Sequence, residues 1–343
     1  MTSGRTPTKA CIIFCMKTNR ELKVLVILAL SIVLISILSL CVGSAALDPA
    51  AWKEIFVPGS LYNNIVFGLR LPRLAGAVVC GGSLALSGAV MQSVLANPLA
   101  APHSLGINAG AALAAALAGI VFPAASGISM TAALIGAVAS SFGILALAKR
   151  FRLSRTTVIL AGVAFSQIFS ACTDLIITVF PDALLGYTAF RMGSLANMTW
   201  NQLAAGGIIC LCAMSLVLLF SQELELLLLG HEQALSLGLN APRWMRILLG
   251  LAALLAGGSV SIAGLIGFVG LAVPHLMKKF LPDFGRTYLC GCILGGALLL
   301  MVCDLAARTL ASPQEIPVGI LLALGGGPYF LWLLFGRSRR AGA

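Results

Sequence analysis

The chain has 343 residues, of which 59% are hydrophobic and only 10% are charged, and its mean hydropathy is +1.03. Soluble domains carry about 25% charged residues, so this composition excludes a water-soluble globular protein and predicts a membrane protein. The formal net charge of +11 does not indicate a nucleic-acid partner, because the basic residues are scattered over several short segments; the predicted surroundings are membrane lipid.

Stretches without Lys, Arg, Asp or Glu predict ten membrane-spanning helices. The longest stretch, 74–148, can hold three of them, since one span needs about 20 apolar residues. The expected spans are 24–43, 72–96, 104–122, 129–148, 157–178, 203–221, 246–265, 267–280, 287–309 and 317–335. We therefore expect an all-α polytopic membrane protein with a single transmembrane domain over 24–335 and tails at 1–23 and 336–343.

The first apolar run follows a basic segment, as it would in a secretory signal peptide. Its length of about 20 residues exceeds the usual signal-peptide core of about 7–15 residues. No small-residue cleavage site clearly follows it, although "GSAALDPA" leaves that alternative open. We interpret the run as an uncleaved first span.

The orientation is predicted from the basic residues. With the N-terminus inside, 17 of the 22 Lys and Arg fall in cytoplasmic segments. The five on the outside are Lys53, Arg70, Arg73, Arg191 and Arg308. This imbalance follows the positive-inside rule, and it predicts that both termini are cytoplasmic.

The stretch 88–110 is apolar and yet rich in residues that break helices. It contains Asn97-Pro98, Pro102-His103 and several glycines, but no charged residue. Irregular backbone at membrane depth is tolerated only where it is buried in protein or lines a watery cavity. This segment is therefore either a tight cytoplasmic turn or a functional element at the inner end of a translocation path, and its length and its polar residues favour the second interpretation.

The longest cytoplasmic connection, 222–246, is too charged to span a membrane and too apolar for a loose linker. Gly230 separates two short helical pieces, and Gly238 is expected to end the second one. The piece "HEQALSLG" has a small apolar face. The connection is either an amphipathic loop lying on lipid or a docking helix for a cytoplasmic partner, and periodicity alone leaves both open.

The predicted spans hold few ionisable groups, and this limits the mechanism. Ion-coupled carriers tend to need charges within their spans, whereas Asp174, Asp304 and Arg308 lie towards the outer ends, and the last two are spaced for a local ion pair.

An intramembrane enzyme would need a set of catalytic or metal-binding residues. The three histidines do not form one, and most of the ten cysteines lie in spans as small hydrophobes. No P-loop motif occurs, so any ATPase would be a separate subunit.

Several motifs resemble the permease subunits of ABC importers for iron chelates and cobalamin, the FecCD family. They are "LRLPRLAGAVVCGGSLALSGAVMQSVLANPLAAPHSLGINAGAAL", "LAGVAFS", "MGSL", "LGHEQALSLGLNAPR", "SVSIAGLIGFVGLAVPH", "DLAARTL" and "PQEIPVGILLALGGGPYFLWLL". The resemblance covers about 70–335 in order. It implies a type II ABC importer permease fold with ten spans in a bacterial inner membrane.

The resemblance also implies partners. A second permease subunit, most simply a copy of this chain, would complete the path. Two ATP-binding subunits would bind Mg-ATP below it, and an extracytoplasmic substrate-binding protein would dock above it. The chain itself would be no enzyme and would carry no cofactor. "PQEIPVG" is more similar to iron-chelate members, which favours a ferric siderophore; haem and cobalamin remain alternatives, and an ion-coupled secondary transporter is a more distant one.

Site residues follow by matching motifs. Contact with the ATPase is expected in 224–238, at Gly230, His231, Glu232, Leu237 and Gly238. Binding-protein docking is expected at Arg70, Arg73 and Arg308. The cytoplasmic gate is expected at Asn97, Pro98, Leu99, Leu153, Ser154 and Arg155. Arg191 departs from the family pattern, which has an apolar or aromatic residue before "MGSL", and it could alter ligand contacts near the outer mouth.

Overall fold

The structure, a computed structural model, describes residues 9–43, 49–122, 126–151, 154–181, 184–196, 198–312 and 314–341. Over these ranges the regular elements are all helical. The longer helices are α1 (Lys9–Cys41), α2 (Leu71–Val94), α3 (Ile107–Val121), α4 (Ser126–Arg150), α5 (Arg155–Val179), α6 (Leu184–Met192), α7 (Trp200–Leu219), α8 (Ser221–Leu228), α9 (His231–Ser236), α10 (Ala241–Ala263), α11 (Val269–Phe280), α12 (Arg286–Thr309) and α13 (Val318–Ala341).

Each of the ten predicted spans coincides with a helix, which confirms the all-α fold. In the described part of the chain, seven helices are long and apolar enough to cross a membrane. The other three predicted spans correspond to α3, α11 and the apolar start of α13 over 318–329, which are shorter. The second span begins earlier than predicted, because a helical segment from Leu61 runs through a π-helical turn, Asn64–Arg70, into α2.

The centre of the bundle is formed by α2 and α10. The apolar windows of these two helices are 83% and 78% buried, whereas those of α1 and α5 are only 6% and 11% buried. Helix α2 packs against α10, α11 and α12, while α1 packs on the outer side of α12. The polar backbone atoms of the central helices are paired within each helix, so these helices can be buried among apolar neighbours.

Two of the central contacts depend on glycine. A Cβ atom on Gly81 would lie 2.3 Å from the carbonyl oxygen of Gly296, so α2 and α12 touch backbone to backbone. At Gly88 the added atom would lie 1.7 Å from the carbonyl oxygen of Gly270 in α11. Lipid tails are as apolar as the helices, so helices in a membrane associate through such close packing of small residues.

Candidate functional site

At the end of the bundle that is predicted to face outward, two arginines and two carboxylates form an ion-pair cluster. Arg73 Nε donates to Asp304 Oδ1 at 2.8 Å, and Arg73 Nη1 donates to Glu315 Oε2 at 2.7 Å. Arg308 Nε lies 3.3 Å from Asp304 Oδ2, which confirms the predicted local pair one helical turn apart. Asp304 Oδ1 therefore joins α12 to α2, while Oδ2 faces Arg308 within α12.

The C-terminus of α1 supplies further oxygen atoms. Arg70 Nη1 donates to the carbonyl of Leu40 and, at 3.1 Å, to that of Cys41. Arg308 Nη1 donates to the carbonyl of Ser39 at 3.3 Å, and Nη2 donates to the hydroxyl of the same residue. The last turn of α1 contains no basic residue of its own, so guanidinium groups from two other helices supply the positive charge that its dipole favours.

This arrangement corrects one expectation. The sequence interpretation places Arg70, Arg73 and Arg308 on an external surface with outward-facing charge, yet all three side chains are buried, with 6%, 6% and 3% exposure. Burying a guanidinium is costly unless a partner compensates it, and carboxylates and helix-end carbonyls compensate it here. Their role in docking a binding protein stays a prediction, and Glu315, with its side chain 25% exposed, is the more accessible member of the cluster.

Three backbone segments meet near α6. Ser194 N donates to the carbonyl of Ala263 at 2.9 Å, Leu265 N donates to that of Phe190 at 2.9 Å, and Gly319 N donates to that of Gly193 at 3.2 Å. These bonds satisfy non-helical backbone between α6, α10 and α13. Such backbone inside a membrane domain is either buried in protein or lines a cavity.

That cavity is present and has a volume of about 450 Å³. We call it the α6 cavity. Its lining residues are Thr188, Arg191, Met192, Leu265, Gly267, Phe268, Gly319, Ile320 and Ala323. Arg191 is thus placed in a cavity wall, and its expected effect on ligand contacts near the outer mouth stays a prediction.

The broken segment 95–106 is a packed turn. Asn97 Oδ1 accepts a hydrogen bond from Leu99 N at 2.9 Å, a local turn in which the side chain replaces a backbone acceptor. Pro98 and Leu99 remain exposed. A 3₁₀ helix, Pro102–Leu105, follows and packs against α5, where a Cβ on Gly162 would lie 2.1 Å from the carbonyl oxygen of Ser104. The irregular backbone after Leu99 is therefore buried in protein, as predicted.

His103 lies in this 3₁₀ helix. Desolvation by burial lowers the pKa of the His103 imidazole from its usual value, which favours the neutral ring. Its backbone carbonyl accepts from Ser166 Oγ of α5 at 3.3 Å. A neutral ring adds no charge to the turn, and the electrostatics of this end of the bundle are set by other residues.

A second cavity, of about 770 Å³, lies at the start of α5 and has charged residues in its wall. Its lining is Leu95, Leu145, Ala148, Lys149, Ser154, Arg155, Val158, Pro242, Met245, Arg246 and Leu249. Two of the expected gate residues, the sequence neighbours Ser154 and Arg155, line this cavity, and their role as a gate stays a prediction. Ser154 also caps α5, because its hydroxyl accepts from Thr157 N at 3.2 Å. Leu153 lies outside the described residues, and Asn97, Pro98 and Leu99 do not line this cavity.

The expected coupling segment contains a helix of six residues, α9, bounded by two glycines with positive φ. Gly230 has φ +107 and Gly238 has φ +82. Leu239 N donates to the carbonyl of Ala234 and Gly238 N to that of Leu235, both at 2.9 Å. This pair of bonds is the Schellman motif, in which a left-handed residue ends a helix, and it confirms the prediction for Gly238.

The faces of α9 differ sharply in burial. Ala234 is fully buried, whereas Leu235 and Leu237 are 55% and 62% exposed, and Glu232 is exposed as well. The side chain of His231 lies outside the described part of the chain. Exposed leucines beside an acidic residue suit either lipid or a partner protein, so the geometry alone keeps both interpretations of this segment open.

Comparison with known proteins shows which protein family this chain matches. A family model described as the FecCD transport family matches residues 30–336. A hemin transport system permease protein from Yersinia pestis is 39% identical, over 92% of this chain and 98% of its own. An Fe(3+)-citrate import system permease protein from Bacillus subtilis is 32% identical, over 94% of this chain and 98% of its own.

A vitamin B12 import system permease protein from Klebsiella pneumoniae is 37% identical, over 92% of this chain and 94% of its own. Among solved structures, one described as a metal-chelate type ABC transporter in an inward-facing conformation has a TM-score of 0.79 and 32% sequence identity. That match covers 92% of this chain and 99% of the other.

Proposed function

This chain belongs to the FecCD transport family, and from that membership we propose that it forms the translocation path of an ATP-driven importer for an iron chelate. It is a multi-pass membrane permease of the ABC importer class, as the family match over residues 30–336 and the relatives establish. A bacterial inner membrane is its expected location. The identity of the chelate and the other subunits of the importer are what we propose.

Relatives named for hemin and for iron citrate support an iron chelate. The relative named for vitamin B12 is similar to almost the same extent, so identity alone does not separate the two ligand classes. The sequence "PQEIPVG", which contains Glu315, favours the iron-chelate members. We propose a ferric chelate, such as a siderophore complex or haem, as the transported ligand.

The proposed assembly contains two copies of this permease, two ATP-binding subunits and an extracytoplasmic binding protein. Mg-ATP would be held by the ATP-binding subunits. In this assembly the second copy would cover α5, a helix that is only 11% buried in one subunit. Membership of the family favours an ATPase, rather than lipid, as the surface that the exposed leucines of α9 contact.

In this assembly α9 would transmit movement of the ATPase to the spans. It joins α8 and α10, and α10 contributes Pro242, Met245 and Arg246 to the cavity that also contains Arg155. A displacement of α9 can thus reach the expected cytoplasmic gate through one rigid helix. Access of the ligand to the cytoplasm would depend on the packing at this cavity.

Co-purification and uptake test the proposal. The permease is reconstituted with its candidate ATPase and binding protein in liposomes, and accumulation of ⁵⁵Fe supplied as a chelate is followed. Uptake that requires ATP and persists with ionophores supports the importer. Uptake that follows an ion gradient without ATP would favour the secondary transporter, and transport of cobalamin but of no iron chelate would replace the proposed ligand.

A further inference from the structure

The α6 cavity has the size and lining of a small-molecule site. Its volume of about 450 Å³ falls within the range of about 300–1,000 Å³ that is usual for ligand pockets, which are mostly apolar and carry a few polar groups. Met192, Leu265, Phe268 and Ile320 supply the apolar wall. Arg191 is the single charged side chain in the described lining.

Arg191 differs from the other arginines predicted to lie near this end of the bundle. Arg70, Arg73 and Arg308 are buried, and their guanidinium groups bind carboxylates or helix-end carbonyls of the same chain. Arg191 is exposed, and among the described residues it takes part in no salt bridge. Because Arg191 is exposed, its guanidinium is accessible to a ligand that enters the cavity.

The wall beside Arg191 is held in a strained backbone conformation. Phe268 has φ +65, which is unfavourable for a bulky side chain. Its ring packs on α13, where a Cβ on Gly326 would lie 2.4 Å from Phe268 Cγ. Strain of this kind persists where the surrounding structure fixes it, and it concentrates at ligand sites. The cavity is therefore a preformed feature of the fold.

We propose that the α6 cavity binds a carboxylate group of the transported chelate through Arg191. A guanidinium can donate two parallel hydrogen bonds to a carboxylate, and the apolar wall would contact the organic body of the ligand. The inference rests on the proposed import function and narrows its substrate class to anionic, carboxylate-bearing iron chelates. A concave wall of this size fits a small ligand better than an acidic side chain on a flat protein surface.

The test measures binding in the absence of the binding protein. The permease–ATPase complex is placed in phosphatidylcholine nanodiscs, and equilibrium dialysis follows ⁵⁵Fe-labelled ferric citrate and an uncharged ferric trihydroxamate. Loss of a charged hydrogen-bond donor costs about ten-fold or more in affinity. We expect Arg191→Gln to weaken ferric citrate binding by that factor and to leave trihydroxamate binding unchanged. Lys53→Gln, which removes another exposed charge on the external segments, is the matched control.

Equal ferric citrate affinity of the wild type and Arg191→Gln would overturn the proposal, and so would the absence of saturable ferric citrate binding to the wild type. An effect of Arg191→Gln on the capture of the binding protein alone would assign Arg191 to docking and would overturn it as well. Failure of the proposed function is recognised separately, because it appears as the absence of ATP-dependent uptake of any iron chelate by the wild-type importer supplied with binding protein.

Discussion

Arg73 and Asp304 are 231 positions apart in the sequence, and a hydrogen bond of 2.8 Å from Nε to Oδ1 joins them inside the helix bundle. The second carboxylate oxygen of Asp304 faces Arg308 at 3.3 Å. One aspartate thereby compensates two buried cations on two helices. The helix-end carbonyls of Ser39 and Cys41 complete the arrangement, so this cluster ties α1, α2 and α12 together.

Replacing the shared carboxylate should destabilise the permease. Asp304→Asn keeps the side-chain volume but leaves Arg73 and Arg308 without their common negative charge. Breaking a buried ion pair by removing one partner costs about 3–5 kcal/mol. We expect a clear fall in the thermal unfolding temperature of the purified protein in detergent.

Asp174→Asn is the matched control, because Asp174 lies in a spanning helix and is exposed. Substitutions at exposed positions usually change stability by less than about 0.5 kcal/mol. Equal unfolding temperatures for Asp304→Asn and the wild type would show that the cluster contributes little to stability.

Docking of the binding protein is best tested through Glu315. The Glu315 carboxylate accepts a hydrogen bond from Arg73 Nη1 at 2.7 Å. It is the more exposed of the two acidic residues in the cluster. If Arg73 pairs with an acidic residue of the binding protein, Glu315→Gln should release its guanidinium and strengthen capture. A change of up to about 1 kcal/mol, or a few-fold in affinity, is the expected size for a charge at an interface rim.

Surface plasmon resonance with the immobilised permease–ATPase complex measures this capture at two salt concentrations. The gain should shrink at high salt, because screening weakens exposed charge pairs. Weaker capture by Glu315→Gln would mean that Glu315 itself, or the loop it holds, is the contact, and the predicted role of Arg73 would be contradicted.

The apolar stretches in the sequence were sufficient to predict the ten helical segments, because span length and charge exclusion are local properties. The end of α9 was also predictable, since Gly238 at the end of a short helix indicates a left-handed residue. The burial of Arg73 could not be predicted from the sequence, because it depends on a carboxylate 231 positions away. The α6 cavity was equally hidden, since it forms from three separate segments around Arg191, Phe268 and Gly319.

The predicted orientation can be tested by labelling single cysteines on a background that lacks the ten native ones. Leu237 and Phe56 are well suited, because they are 62% and 80% exposed and lie on segments predicted to face opposite sides. The positive-inside rule predicts that an impermeant maleimide labels Phe56→Cys in intact cells and Leu237→Cys only after permeabilisation. The reverse pattern would invert the topology and, with it, the roles expected for the cavities and for α9.

The role of α9 depends on how sharply it ends. Gly238 has φ +82, and nothing lies within 4 Å of a Cβ added there, so a substitution meets backbone strain without a steric clash. Valine resists the left-handed conformation, whereas asparagine tolerates it. Gly238→Val should cost about 1–2 kcal/mol at the cap, displace α9 and lower ligand-stimulated ATP hydrolysis in liposomes, while Gly238→Asn should retain most of the stimulation.

This pair of variants separates coupling from a passive contact with lipid. Both introduce a side chain of moderate size at the same open position, and they differ chiefly in how readily they adopt positive φ. An effect confined to valine therefore reports the geometry of the Schellman cap formed by Leu239 N and the carbonyl of Ala234. Full stimulation by Gly238→Val, with saturating binding protein and ligand, would show that ATP-driven transport does not depend on how α9 ends. The segment would then be better explained as a loop that lies on the membrane.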